Sequence, residues 1–176
     1  MILQTSQIKE ISEFLASGQI GVLPTDTIYG IHCKTLDHDL IKRIYQIKNR
    51  PEGMPFITLI SEINELKLFD VIIGDFEREQ INKFWPGPNT LILKTLSGET
   101  RSFRIPRNDF LQSILKTTGS LISTSANLHL KPSAKNINEA IEYFGDKIDF
   151  YVDGGELNNP PSSVYDISEG KVNKLR

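Results

Sequence analysis

Short apolar runs that stop abruptly at small polar clusters constrain this chain more than any other feature. Ile20-Gly21-Val22-Leu23 runs straight into Pro24-Thr25-Asp26-Thr27-Ile28-Tyr29-Gly30, and Leu121-Ile122 into Ser123-Thr124-Ser125-Ala126-Asn127. Runs this short suit buried strands and fall below the length of a helix. Hydroxyls, an amide and a carboxylate therefore gather at strand ends, where open α/β sheets form their ligand crevices.

Segments of helical period alternate with these runs. Ile8, Ile11, Phe14 and Leu15 share one helical face, so a helix is predicted over Gln7–Ser17, with Gly18 just beyond its end. Asp37 is an N-cap for a second helix carrying Leu40, Ile41, Ile44 and Ile47; Pro51 disfavours helical dihedrals at Arg50 and ends that helix near Lys48 or Asn49. Phe56–Ile60 reads as a strand, followed by a short helix capped by Ser61 and running through Leu68. Phe76–Phe84 reads as a helix ended by Pro86-Gly87-Pro88 ahead of the strand Thr90–Leu93. Ser102–Ile105 and Leu121–Ser123 are strands flanking a helix near Asp109–Lys116, and Asn136 with Glu139 resembles a capping box for a helix through Phe144. Short strands follow at Phe150–Val152, Val164–Ile167 and Val172–Leu175, the first two joined by the loop Asp153–Ser162. This mixture implies a single α/β (α+β) domain over residues 1–176, with parallel and antiparallel strand pairs.

At 176 residues, with 39% apolar and 24% charged side chains, the chain can bury a core without disulfides or a structural metal. The lone Cys33 cannot form an internal disulfide, and Met1-Ile2-Leu3-Gln4-Thr5 lacks the basic and apolar regions of a signal peptide. No apolar run approaches the ~20 residues needed to span a bilayer, so a cytoplasmic protein without membrane contact is expected. The net charge of −2 counts against a dedicated nucleic-acid binder, which needs a basic surface, but leaves room for a local basic pocket.

Several clusters carry both a chemical and a structural meaning. Lys48 and Arg50 stand two apart in a segment kept extended by Pro51, an arrangement suited to a polyanion; a basic pair near a helix C-terminus also simply complements the macrodipole. Ser125 and Asn127 can hydrogen-bond phosphate or sugar oxygens, or satisfy their own turn. Thr25 and Thr27 can hold an amino-acid ligand or sit as ordinary strand residues, with Asp26 forming a turn. Arg104, on an otherwise apolar strand, needs a partner, either a substrate carboxylate or an internal acid. Arg101 and Arg107 are expected to face solvent, and Trp85 to anchor a rigid turn. His32, His38 and His129 lack metal-ligand spacing, Cys33 lacks a nucleophile's motif, and neither a P-loop nor a Rossmann fingerprint is present.

Taken in order, Pro24–Gly30, Lys48–Pro51, Phe84–Pro88, Phe103–Pro106, Ser123–Asn127, Asp153–Gly155 and Ser162–Val164 resemble the YrdC/Sua5 family, the threonylcarbamoyl-AMP synthases. The resemblance covers almost the whole chain. It implies a twisted mixed sheet with flanking helices around a deep, basic cavity, and a reaction joining L-threonine, bicarbonate and ATP into threonylcarbamoyl-adenylate and pyrophosphate. Partner transferase proteins would then complete the t6A modification at adenosine 37 of tRNA, which this chain would meet only indirectly or weakly. Carried over by position, the nucleotide site falls on Lys48, Arg50, Ser123, Ser125 and Asn127, with Lys48 and Arg50 offsetting phosphate charge and stabilising departing pyrophosphate. The threonine site falls on Thr25, Thr100, Arg104 and Ser162 or Ser163. Mg²⁺ is expected to arrive with ATP, and no protein-only metal site is expected.

The chain departs from the family pattern in three places. After Asn127 it continues Leu128-His129-Leu130-Lys131-Pro132 where a Ser-Gly turn is usual; Ser162-Ser163-Val164 replaces Ser-Thr-Val; and it stops at Arg176, as the short members do. Two other functions stay open on sequence alone: an RNA-binding or ribosome-maturation module, and a relative with the same fold acting on another carbamoyl-adenylate.

Overall fold

The strand runs pair into a single ten-stranded sheet in the computed structural model, which describes residues 1–176. In chain order the strands are β1 (Ile2–Gln4), β2 (Gly21–Leu23), β3 (Gly30–Lys34), β4 (Ile57–Leu59), β5 (Asn89–Lys94), β6 (Thr100–Arg104), β7 (Leu121–Ser125), β8 (Phe150–Asp153), β9 (Ser163–Asp166) and β10 (Asn173–Lys174). The helices are α1 (Ile8–Ala16), α2 (His38–Lys48), α3 (Asp75–Phe84), α4 (Asp109–Thr118) and α5 (Ile137–Phe144). Across the sheet the order is β1-β8-β2-β3-β7-β4-β6-β5-β9-β10. The β2–β3–β7–β4 pairs are antiparallel, whereas β4–β6 and β5–β9 are parallel.

Local chemistry explains most helix ends. Asp37, Asn108 and Asn136 each accept a backbone N–H from the first turn of α2, α4 and α5, at 3.1, 2.9 and 3.0 Å. Helix α2 stops at Lys48 because Asn49 turns left-handed, with φ 51°. Ser61 does not cap an α-helix as expected: residues Ile63–Phe69 form a 3₁₀ helix, and the Ser61 hydroxyl donates instead to Glu65 Oε1 at 2.6 Å. Two strands escape the sequence reading. β1 is a short edge, and β3 alternates Ile31 and Cys33 with Gly30, His32 and Lys34, so it lacks a continuous apolar run.

Strand alternation separates two faces with different fates. Val22, Ile31, Ile122 and Tyr151 pack with Ile44, Ala140 and Phe144 of α2 and α5, and Leu91 and Phe103 pack with Ile81 of α3. On the opposite face, α1 and α4 pack Ile11, Leu15, Leu111 and Ile114 against Leu23, Leu59, Leu121 and Phe150. Gly21 lets Phe150 lie flat on the sheet there, since a Cβ would stand 2.3 Å from its ring. This second face is only partly covered, and what α1 and α4 leave open becomes the cavity. No helix is long and apolar enough to cross a membrane.

Candidate active site

The uncovered face encloses a cavity of about 350 Å³ whose lining includes three guanidinium groups, Arg50, Arg104 and Arg176, and a single carboxylate, Asp26. In a chain of net charge −2, this concentrates positive charge where the sheet is bare.

At one end Arg104 is held rigidly. Its Nη2 donates to Asp26 Oδ1 at 2.5 Å, its Nη1 to Thr27 Oγ1 at 3.1 Å, and its Nε to the Gly87 carbonyl at 3.0 Å. The Pro86-Gly87-Pro88 turn thus supplies a backbone acceptor, and Trp85 braces it by donating from Nε1 to the Asn89 carbonyl at 2.8 Å. Asp26 is fixed in turn, its Oδ2 accepting the Arg107 N–H at 3.1 Å. Burial pulls the Arg104 pKa down and Asp26 opposes that pull. A guanidinium has five N–H donors, so two remain for a ligand anion.

The Pro24–Gly30 turn organises that clamp. Thr25 Oγ1 accepts the N–H groups of Thr27 and Ile28 at 3.0 and 3.2 Å and donates to the Ile28 carbonyl at 2.7 Å. Its hydroxyl is therefore spent largely on its own turn, and Thr27 is the one that reaches Arg104. Tyr29 pins the Asp153–Ser162 loop: its Oη accepts the Gly154 N–H at 2.9 Å and donates to the Gly155 carbonyl at 2.8 Å. A Cβ at Gly154 would come within 2.6 Å of Pro24, so this close approach requires glycine.

At the other end Lys48 is 2% exposed and is not part of the cavity lining. Its ammonium donates to the carbonyl of Ser125, to the carbonyl of Asn127 at 2.7 Å and to Asn127 Oδ1 at 3.2 Å. Those contacts use all three of its hydrogens. Burial, reinforced by Arg50, lowers its pKa to about 7. Arg50 does line the cavity, stacked 5.0 Å above the Phe56 ring, with its Nε unpartnered. Ser125 Oγ donates to Asn127 Oδ1 at 2.5 Å, and the Asn127 amide donates to the carbonyls of Leu128 and Lys131, both at 2.8 Å. Asn127 thereby ties the altered Leu128–Pro132 loop to the end of β7.

Of the residues expected at the site, Thr25, Arg50, Arg104, Ser123, Ser125 and Ser162 line the cavity. Lys48 and Asn127 are not in the lining but hydrogen-bond to Ser125, which is. Thr100 does not line the cavity: it shares a face with Ser102 and Arg104, but four residues along β6 carry it about 13 Å from Arg104, where it is exposed. The sequence reading missed Thr90, whose Oγ1 lies 2.9 Å from Ser162 Oγ, and Arg176, whose Nε donates to the Ser162 carbonyl at 3.0 Å. Neither lies in a recognisable motif; Thr90 is the cross-sheet neighbour of Val164, a relation visible only once strands pair.

Cys33 and His38 do not line the cavity. Burial pushes the Cys33 thiol up to about 12, and His38 is exposed.

A mixed sheet wrapped on a basic, hydroxyl-lined cavity defines an α/β protein whose open face suits an anion, and comparison with known proteins places it. The chain belongs to the Sua5/YciO/YrdC family, whose profile, described as telomere recombination, matches residues 13–176. It is 30% identical over 174 residues to the threonylcarbamoyl-AMP synthase of Pyrococcus abyssi, covering 93% of this chain but 51% of that protein, so it spans about half of that relative's length. The threonylcarbamoyl-AMP synthase of Pseudomonas savastanoi pv. phaseolicola is 28% identical over 180 residues, covering 94% of this chain and 95% of that protein. The fold superposes on P. abyssi Sua5 complexed with L-threonine with a TM-score of 0.91 at 27% identity, covering all of this chain and 57% of the other.

Proposed function

We propose that this chain is a threonylcarbamoyl-AMP synthase: a nucleotidyl transferase that joins L-threonine, bicarbonate and ATP into threonylcarbamoyl-adenylate and pyrophosphate. The observation that carries this reading is the doubly served cavity. Arg104 offers two spare donors at one end, and the Arg50 guanidinium faces the other. One carboxylate and one polyphosphate match those two cations, which isolated anion sites would not require.

The chemistry needs no nucleophile from the protein. The threonine amine and bicarbonate condense to a carbamate with loss of water. A carbamate oxygen then attacks the α-phosphorus of ATP, and the bond to the bridging oxygen breaks to release pyrophosphate. The enzyme's work is to hold the two anions in line and to neutralise their charge. Arg104 and Ser162 hold threonine in this reading, with Thr25 fixing the turn beside them, while Arg50, Ser123 and Ser125 meet the nucleotide and Lys48 and Asn127 hold Ser125 in place. Arg176 adds charge beside Ser162. Mg²⁺ enters with ATP and screens its phosphates. The product would pass to transferase proteins acting on tRNA in the cytoplasm.

The departure at Leu128–Pro132, together with a Lys48 ammonium already saturated, favours one alternative, a carbamoyl-adenylate built on another amine. Pyrophosphate release from ATP, with threonine and bicarbonate added separately and together, decides between the two. Release that needs both supports the synthase reading; release with bicarbonate and a different amine, but not threonine, moves the assignment to the alternative.

A further inference from the structure

His32 lies in the middle of β3 with no exposed surface. Strand pairing sets it directly opposite Ser123 of β7, and its Nε2 lies 3.2 Å from Ser123 Oγ, while its Nδ1 has no hydrogen-bond partner. Gly30 makes room for the ring, since a Cβ there would come within 2.8 Å of His32 Cε1. Gly30 and Ser123 both line the cavity, and the buried imidazole lies on the same face of the sheet, beside the lining and not part of it.

A polar ring in such a place is costly to desolvate and stays only if its hydrogen bonds are arranged for something. Burial, helped by the Arg104 charge and partly offset by the Gly30 backbone, holds its pKa down to about 4. The ring is therefore neutral and has one N–H and one lone pair. A buried N–H without an acceptor is rarer than an unfilled acceptor. That asymmetry favours the proton on Nε2, facing Ser123, over the unpartnered Nδ1.

We propose that His32 is a positioning residue: by donating from Nε2 to Ser123 Oγ, it commits the Ser123 hydroxyl to donate its own proton to an anionic oxygen of the bound substrate. Without that donor the hydroxyl can turn back toward the ring and present lone pairs, which repel a phosphate or carboxylate oxygen. The identity of the substrate rests on the synthase reading; the hydrogen-bond geometry does not.

His32→Met keeps bulk but removes the N–H. It is expected to raise the KM for ATP or for L-threonine about tenfold, the loss of one hydrogen bond to a charged group, with kcat changed much less. Which KM moves tells whether Ser123 meets phosphate or carboxylate. His32→Gln, whose amide reaches the place of Nε2, restores most of the affinity. Ser123→Ala produces the same rise, and adding His32→Met to it changes nothing further. An unchanged KM in folded His32→Met, or additive effects in the double variant, overturns the proposal.

Long-range ¹H–¹⁵N spectra of the imidazole supply a readout independent of turnover and of whether His32→Met folds. A neutral ring in the Nε2–H tautomer between about pH 6 and 8 is expected; the Nδ1–H tautomer or an imidazolium overturns the proposal. If the wild-type protein releases no pyrophosphate with all three substrates present, the synthase reading fails, and the tautomer still decides the pair.

Discussion

Arg104 and Lys48 are both cations taken out of water beside one cavity, yet Arg104 is answered by a carboxylate and Lys48 only by neutral oxygens. Asp26 keeps Arg104 charged and aimed, and the guanidinium still has donors to spare. Lys48 spends every hydrogen on the Ser125–Asn127 backbone and amide, and its charge is marginal near neutrality. A buried cation with an acid partner is a fixed element of a site; one without it can be adjusted by pH or by an arriving anion. The Arg104 end is built to be rigid and the Lys48 end to respond.

Substitutions at the two ends sharpen the contrast. Asp26→Asn should have the largest effect: it leaves Arg104 buried without its acid, destabilising the fold by about 3 kcal/mol in urea titrations and abolishing turnover. Arg104→Lys keeps the charge but loses the planar fork, and kcat/KM for threonine should fall about 100-fold with a smaller loss of stability. Arg50→Ala should raise the KM for ATP about tenfold while leaving urea stability within about 1 kcal/mol, because Arg50 is only partly buried and lines the cavity without belonging to the apolar core. Were Arg50→Ala to unfold the protein as Asp26→Asn does, the contrast between a rigid and a responsive end would collapse.

The smaller effects concern protons. Lys48 has a folded-state pKa of about 7, below its usual 10.5, so between those values the unfolded chain binds more protons than the native one. Its contribution to stability therefore rises with pH across that window and is lowest below pH 7. Lys48→Met should flatten this part of the stability profile, measured by urea titration from about pH 7 to 10. ATP binding near pH 8 should take up protons as phosphate charge raises the Lys48 pKa, seen as a buffer-dependent heat in calorimetry. The smallest change of all is expected at Thr100→Ala, within about 0.5 kcal/mol of wild type and with unaltered threonine KM.

The Asn108 cap of α4 was not read, whereas the apolar runs, the caps at Asp37 and Asn136, and the helix end before Pro51 were legible because each depends on neighbours in the chain. So were the helix and strand classes, and the polar clusters at strand ends, since local sterics and short hydrogen bonds decide them. The central strand β3 was not, because Gly30 and His32 make sense only alongside Ser125 and Ser123 of a neighbouring strand. The same holds for the inward aim of Arg104 toward Asp26, 78 positions away, for Lys48 turning back on Asn127, and for Thr100 ending in solvent on the right face but beyond the cavity. Sequence alone determined which residue types stood ready for an anion site. Only tertiary structure decided which of them faced the cavity and which were spent holding it, because desolvation and pairing depend on what the sheet brings alongside.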